Sequence, residues 1–168
     1  EMAFCRAEGA LAGWSNMGGS AKDLYEDGVK LSFEQWGAGD ATTYLANNTL
    51  TEANYVDPIS DYGGNVNAVS NITIKWDDSA TDEQKMERLI TQKWIAMFPN
   101  GQEGWSEIRR TGYPKVFPLA QSTDYSIQVA NRIPFDIDEA TNNKANYIKA
   151  VQLLKGNDDY ATKMWWQR

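Results

Sequence analysis

The chain has 168 residues, of which 42% are hydrophobic, and a formal net charge of −7 at pH 7. This length suits one ordinary domain, and the apolar content is sufficient for a packed core. The longest basic run is the pair Arg109–Arg110. Nucleic-acid binding requires clustered positive charge, so the sequence argues against a nucleic-acid partner.

Two residue counts narrow the possible chemistry: the chain has no histidine and a single cysteine, Cys5. Histidine is the commonest proton shuttle and metal ligand at neutral pH, so a serine triad and a histidine-ligated zinc site are excluded. A single cysteine excludes an internal disulfide, and its apolar helical surroundings favour a buried thiol over a nucleophile. These counts exclude histidine- and thiolate-based sites, and we expect no catalytic residue, no metal site and no cofactor.

No apolar run approaches the roughly 18–20 residues that span a bilayer, and no segment has the pattern of a signal peptide. The chain also opens within a helical pattern, without a capping residue before it. We therefore expect it to be the later part of a longer protein.

Residues 1–37 are predicted to form a helical hairpin. The alanine-rich first helix ends at Gly13, and the second begins at Ser20, which forms a cap with Asp23, and ends at Gly37. Such a hairpin is the unit of tetratricopeptide-like stacks, and one unit alone cannot bury both of its faces. The buried side of the second helix is expected to carry Leu24, Val29, Leu31 and Phe33.

Residues 38–79 are rich in Gly, Asn, Asp, Ser and Thr, which indicates a long ordered loop or an excursion that binds a ligand. Alternating residues predict one short strand at 72–76. Aromatic faces stack on pyranose rings while amides read the hydroxyl groups, so aromatic and asparagine residues of this loop suit a glycan. The candidate ligand-binding residues are Tyr55, Tyr62, Trp76 and Asn65.

The remaining segment, 80–168, is predicted to contain helices joined by extended chain. A helix begins at Thr81 or Asp82 and is ended by Pro99. An irregular stretch over 113–136 precedes a helix that ends at Gly156, and the aromatic tail is expected to dock on the body. The first of these helices is expected to bury Met86, Leu89, Ile90, Trp94, Ile95 and Phe98, and the last to bury Ala145, Ile148, Val151, Leu153 and Leu154.

A second short helix follows Pro99 directly. Asn100 can cap it, and Gly112 supplies a left-handed exit. Trp105 and Arg109 lie four residues apart, close enough for the guanidinium to cover the indole ring. We interpret Trp105, Arg109 and Arg110 as a structural joint, in which the arginines bond carbonyl or carboxylate groups of the extended chain around 132–135.

Several carboxylate residues suggest another function class, an acidic hydrolase. The pairs Asp77–Asp78 and Asp158–Asp159 and a cluster of glutamates and arginines at 103–110 are its candidates. Acid and base roles divide only between carboxylates held a few ångströms apart across a cleft, which neighbouring positions do not establish. The oxygen-bearing side chains around Asp57 lack the regular spacing of a calcium-binding loop, so a plain turn is favoured there.

Several longer motifs together resemble one protein family. They are ITQKWIAMFPNGQEGWSEIRRTGYP, RIPF, ATNNKANYIKAV and DDYATKMWW, and near the start FCRAEGALAGW and LYEDGVKLSFEQWG. In this combination the chain resembles the C-terminal part of the SusD/RagB family of outer-membrane nutrient-binding lipoproteins. The resemblance covers nearly all of 1–168, which we interpret as a single segment of that kind.

The resemblance implies a mainly α-helical fold with tetratricopeptide-like hairpins and long irregular loops. It also implies a protein anchored at the outer membrane, on the cell surface, by a lipidated N-terminal cysteine. Family members lie as a lid on a SusC-like, TonB-dependent transporter and capture glycans, or in some cases peptides, without catalysis. They contain several hundred residues, so the N-terminal part with its lipid anchor is expected to lie outside this chain, and Cys5 is not the lipidated residue.

One other function class remains open from the sequence: a helical-repeat scaffold that binds a protein partner. Glycan binding predicts exposed aromatic residues in the loop 47–79. A scaffold predicts that those aromatic residues are buried and that a concave helical surface is exposed.

Overall fold

The computed structural model describes residues 1–58, 65–117 and 129–167. Within those ranges the chain forms seven helices and no strand, and the mainly α-helical class predicted from the sequence is confirmed. The helices are α1 (Met2–Leu11), α2 (Ala21–Trp36), α3 (Thr42–Leu45), α4 (Asp82–Ala96), α5 (Gly101–Thr111), α6 (Ile137–Asn142) and α7 (Lys144–Leu154).

Helices α1 and α2 form the predicted hairpin. The side chain of Ser20 accepts a hydrogen bond from the backbone N–H of Asp23, and Gly37 ends α2 in the left-handed region with φ of 64°. The two helices approach closely at Gly28, where an added Cβ would lie 2.8 Å from the ring of Phe4. Leu31 is exposed, so its predicted place on the buried side is wrong.

Helix α4 packs across both helices of the hairpin and completes the core. Thr81 and Gln84 form a reciprocal capping box at its start, which fixes the first turn. The largest fully buried side chains are Phe4, Tyr25, Leu89 and Ile90, one from α1, one from α2 and two from α4.

The apolar residues of α4 divide between two faces, contrary to the sequence prediction. Trp94 and Ile95, together with Phe98 just beyond the end of α4, are predicted to lie in the core, but all three are exposed. Beside Leu89 and Ile90, the buried face contains charged and amide side chains, most of whose polar groups are bonded, although Nη1 of Arg88 has no partner among the described residues. Lys93 lies 2.8 Å from Glu107 of α5, which holds α4 and α5 together.

The predicted strand at 72–76 is absent, and this stretch is an irregular strap over the core. Among the described residues it forms no ladder: the backbone N–H of Lys75 donates to the carbonyl of Asn47 at 2.8 Å, and side chains bond other parts of its backbone. The hydroxyl of Tyr25 donates to the carbonyl of Ile74 at 2.6 Å, and Nε of Arg88 donates to the carbonyl of Thr73 at 2.9 Å. The alternating sequence that predicted a strand here therefore belongs to a segment that packs on α2 and α4, not to a sheet.

The C-terminal part is more open than predicted. The structure has two helices where one was expected. Asn143, with a φ of −134°, separates α6 from α7. Ala145, Ile148 and Leu153, all predicted to face inward, are exposed. The tail docks only in part. The side-chain amide of Gln167 donates to Oδ1 of Asn131 at 2.9 Å, but Trp165 is 91% exposed.

Candidate functional site

A groove of about 390 Å³ lies where the loop 50–52, the strap, α4 and the segment 114–117 meet. Its walls combine aromatic rings with hydrogen-bonding side chains. The aromatic and polar lining residues include Tyr44, Trp94 and Phe117 with Glu52, Ser70, Thr91, Gln92 and Lys115.

A chain of hydrogen bonds fixes the polar side of this groove. One oxygen of Glu52 accepts from the backbone N–H groups of Val69, at 2.7 Å, and Ser70, at 2.9 Å. The hydroxyl of Ser70 donates to buried Glu87 of α4 at 2.7 Å, and Lys115 donates to the other oxygen of Glu87 at 3.1 Å. These bonds tie the loop, α4 and the segment 114–117 into one arrangement.

Tyr44 and Gln92 supply a second fixed polar pair in the groove. The hydroxyl of Tyr44 donates to Oε1 of Gln92 at 3.0 Å, and the Tyr44 ring packs 5.2 Å from that of Phe33. A bonded, packed side chain loses little freedom when a ligand arrives, so this wall is preorganised.

Tyr55 lies beside the groove. Its ring centroid is 6.1 Å from that of Phe117, and its side chain is 46% exposed. Two backbone hydrogen bonds with Val66, of 2.9 and 3.0 Å, form an isolated antiparallel bridge that holds Tyr55 in place. The exposed loop aromatic that the sequence analysis expected is therefore present at this position.

The other predicted ligand residues have different surroundings. Asn65 is exposed, and its Oδ1 accepts from the backbone N–H of Asp57 at 3.2 Å, so this oxygen closes the loop on itself. Tyr62 lies outside the described residues.

Trp76 is 7% exposed, and its ring centroid lies 5.2 Å from that of Tyr25 in the core. The indole N–H donates to Asp78 at 2.9 Å. The expectation that Trp76 is an exposed loop aromatic is wrong, because the strap turns this ring toward the hairpin.

Sequence reasoning missed the residues that form most of the groove. Trp94 was assigned to the core, yet it is 43% exposed and lines the groove. Phe117 and Glu52 carry no local signal, because their role depends on how distant segments meet. The aromatic excess of the chain was the one usable indication.

A second, more apolar groove of about 510 Å³ adjoins the first and shares Trp94 and Ile95 with it. Phe98 and Pro99 form its apolar side, and the ring of Phe98 lies 6.2 Å from that of Trp36. Trp36, Trp94 and Phe98 thus form an exposed aromatic surface beside the candidate site.

The predicted joint consists of stacked rings and backbone hydrogen bonds. The Arg109 guanidinium carbon lies 3.5 Å from the Trp105 ring centroid and 4.9 Å from that of Trp166. The Trp105 indole N–H donates to the carbonyl of Ala130 at 2.6 Å, and Arg109 donates to that of Asn131 at 3.1 Å. Helix α5 is thereby attached to the chain before residue 132.

Arg110 has different partners from those expected. It pairs with Glu8 of α1 and, at 2.7 Å, with Glu107 of its own helix. Hydrogen bonds from Lys93 and Arg110 outweigh the opposing effect of burial and hold the pKa of Glu107 below its ordinary value. Arg110 therefore connects α5 to the hairpin rather than to the segment 132–135.

The carboxylate pairs considered for hydrolysis serve local structure. Asp77 accepts from the backbone N–H and hydroxyl of Ser79, and Asp78 accepts from Trp76. Asp158 pairs with buried Arg132. Asp159 accepts from the backbone N–H groups of residues 161 and 162, at 3.0 and 2.8 Å. Each carboxylate is thus engaged within its own neighbourhood.

The comparisons with known proteins all identify the same family. A family model described as SusD-like, SusD and RagB outer membrane lipoprotein, matches residues 1–167. A SusD-like protein from Bacteroides thetaiotaomicron is 48% identical, with a TM-score of 0.86 over 98% of this chain and 35% of its own. No curated protein sequence matches the chain.

Two further solved structures are similar. A chitin-binding SusD homologue from Flavobacterium johnsoniae is 48% identical, with a TM-score of 0.85 over 98% of this chain and 34% of its own. A SusD homologue from Bacteroides uniformis is 45% identical, with a TM-score of 0.88 over 99% of this chain and 35% of its own. The chain spans about a third of the length of these relatives.

Across the described ranges, no helix is both long and apolar enough to traverse a bilayer. The helical fold, the family model over 1–167 and the solved relatives agree. The chain belongs to the SusD/RagB family of outer-membrane lipoproteins.

Proposed function

We propose that this chain is the C-terminal segment of a nutrient-binding lipoprotein and that the groove beside Tyr55 binds a glycan. The membership of the family over 1–167 supports this function, as does the 48% identity to a homologue described as chitin-binding. The observation that carries the proposal is the Tyr55–Phe117 aromatic pair beside a groove with fixed polar groups.

The chemistry of the groove matches that of a sugar. The apolar faces of pyranose rings stack on aromatic side chains, which Phe117 and Trp94 present in the walls and Tyr55 presents beside them. Hydroxyl groups require donors and acceptors held in place, and Gln92 and Glu52 are each fixed by hydrogen bonds within the protein. A ligand therefore meets both kinds of surface in one groove.

Capture without catalysis is part of this proposal. A glycosidase needs one carboxylic acid that holds a proton and a second carboxylate that faces it across the sugar. Glu87, below the groove, is buried and bonded to Lys115 and Ser70, which suits a structural anion. Glu52 is bonded to two backbone N–H groups and fixes the loop. Neither arrangement suits proton transfer to a ligand.

The remaining parts of the proposed function depend on the family. We place the lipid anchor on a part of the protein that precedes residue 1, and the captured glycan passes to a SusC-like, TonB-dependent transporter at the outer membrane. Within the segment, 1–37 serves as a helical hairpin, 38–79 as the excursion that supplies Tyr55, and 80–168 as helices and extended chain around the groove.

A second candidate function rests on the apolar surface around Trp36, Trp94 and Phe98. Exposed aromatic clusters of this kind mark protein-protein contacts, so a helical scaffold that binds a protein partner is the alternative. The two functions differ in where a substitution acts, because Phe98 lines the apolar groove and Phe117 lines the candidate glycan groove.

The experiment is a calorimetric titration of the protein with a panel of oligosaccharides and peptides, with tryptophan fluorescence as a second readout. We expect saturable binding of an oligosaccharide, weakened about tenfold or more by Phe117→Ala and unchanged by Trp14→Ala, an exposed aromatic outside the groove. Saturable peptide binding that responds to Phe98→Ala and not to Phe117→Ala would support the scaffold function instead. An absence of binding by any oligosaccharide would refute glycan capture.

A further inference from the structure

The charges around the candidate glycan groove do not balance. Glu52 lines the groove and Glu87 lies directly below it, bonded to the lining residues Ser70 and Lys115. Lys115 is the single cation among the described lining residues. These three groups together carry a net charge of −1, and the nearby Arg88 is buried with its guanidinium bonded to Thr73 of the strap.

Lys115, whose side chain is 42% exposed, is already paired with a buried carboxylate. Its ammonium lies 3.1 Å from Oε2 of Glu87, and the Glu87 side chain is only 5% exposed. A buried carboxylate that loses its counter-ion is strongly destabilising, so transfer of Lys115 to a ligand would leave Glu87 unpaired. An incoming carboxylate would compete with a fixed and costly partner.

Glu52 cannot withdraw from the groove without loss of structure. Its Oε2 accepts two backbone hydrogen bonds, of 2.7 and 2.9 Å, from Val69 and Ser70. Rotation of the side chain would leave two backbone donors without their acceptor, which opposes such a movement. The negative charge is consequently a permanent feature of the groove wall.

We propose that this groove selects uncharged oligosaccharides over those that carry uronic acids, and that Glu52 is the residue that sets this selectivity. The inference rests on the proposed glycan-binding function. A neutral sugar gives Glu52 only hydroxyl donors, which a carboxylate accepts well. A uronic acid brings a second carboxylate to a site whose cation is already bonded to Glu87, and like charges repel at this range.

The test compares two ligands that differ only at C6, where one has a neutral hydroxymethyl group and the other a carboxylate. One is the neutral oligosaccharide that binds most tightly in the panel, and the other is the same oligosaccharide after oxidation of its C6 hydroxymethyl groups to carboxylates. Calorimetry at low and at high salt should show at least tenfold weaker binding of the oxidised form, with a smaller difference at high salt because charge repulsion is screened.

The variant Glu52→Gln separates charge from shape. Glutamine retains an oxygen that can accept the two backbone hydrogen bonds, so the loop stays in place. We expect the ratio of oxidised to neutral affinity to rise about three- to tenfold in this variant. Glu139→Gln on α6, outside the groove, makes the same change in net charge and should leave the ratio unaltered.

The outcomes separate this inference from the proposed function. Equal binding of both ligands, tighter binding of the oxidised one, or a ratio that does not respond to Glu52→Gln would overturn the charge selectivity while glycan capture stands. Binding of only acidic oligosaccharides from the panel would do the same. Failure of every oligosaccharide to bind would overturn the glycan function and this inference together.

Discussion

Nζ of Lys93 on α4 lies 2.8 Å from Oε1 of Glu107 on α5, and both side chains are buried. A buried ion that loses its partner retains its desolvation cost, so Lys93→Met should lower the free energy of unfolding by about 3 kcal/mol. Urea denaturation measures this change. Lys30→Met is the matched control, because Lys30 belongs to an exposed pair with Asp27 at 3.9 Å and should change stability by less than about 1 kcal/mol. Equal effects of the two substitutions would contradict the structural role of the buried pair.

The same pair predicts a dependence of stability on pH. Burial raises the pKa of Glu107, but hydrogen bonds from Lys93 and Arg110 outweigh it, so the pKa in the folded protein lies below the ordinary glutamate value. A depressed pKa contributes stability that is present above the unfolded-state pKa and is lost as the pH falls through the folded-state pKa. Thermal melting should therefore show an acid-side loss of stability that is smaller in Glu107→Gln, since glutamine does not titrate. An identical acid limb in both proteins would count against Glu107 as its source.

Arg109 is predicted to stabilise the joint without taking part in ligand binding. Arg109→Ala removes a hydrogen bond to the carbonyl of Asn131 and the stack on Trp105, and should lower stability by about 1–3 kcal/mol. Arg109→Lys retains the charge but not the planar group, so it should recover only part of that loss. Melting temperature and oligosaccharide affinity are measured on the same samples. Loss of binding with unaltered melting would assign Arg109 to the ligand site instead.

The ends of the helices were the most predictable part of the fold. Ser20 and Asn100 cap their helices through side chains as expected, and Gly37 and Gly112 end them in left-handed conformations with φ of 64° and 80°. These features depend on neighbouring residues in the chain, so the local sequence contains the necessary information. The helical hairpin followed from the same local signals.

The burial of two tryptophans shows why the site was harder to predict. Trp94 was placed in the core and Trp76 on the surface, yet Trp94 is exposed and Trp76 is buried. Helix α4 carries apolar residues on more than one face, and its buried face includes Lys93, whose partner Glu107 lies 14 residues away. Which face is covered depends on such distant pairings, which spacing along one helix does not contain.

The close approach of α1 and α2 gives a prediction about a helical glycine. A Cβ at Gly28 would lie 2.8 Å from the Phe4 ring, so Gly28→Ala should force the helices apart and lower stability by about 1–3 kcal/mol. Gly101→Ala is the control, because no atom lies within 4 Å of its added Cβ, and it should be neutral or slightly stabilising. Denaturant unfolding measures both. Similar changes in unfolding free energy for the two variants would show that α1 can shift away from α2 without loss of packing.

Tyr55 and Trp76 provide the sharpest separation of binding from folding, since both are aromatic residues of the same loop. Tyr55 is 46% exposed beside Phe117, so Tyr55→Ala should weaken oligosaccharide binding by about 1 kcal/mol, roughly fivefold in Kd, and leave melting nearly unchanged. Trp76→Ala should instead cost about 3–5 kcal/mol of stability, because it empties the space beside Tyr25.

Calorimetric titration and thermal melting of both variants decide between the two roles. Tyr55→Phe serves as a further control, because it retains the ring and should retain most of the affinity if stacking is the main contribution of Tyr55. A destabilised Tyr55→Ala protein would mean that this ring packs rather than binds. If Trp76→Ala melts normally but loses affinity, Trp76 contacts the ligand. The strap would then have to open in solution to expose this ring.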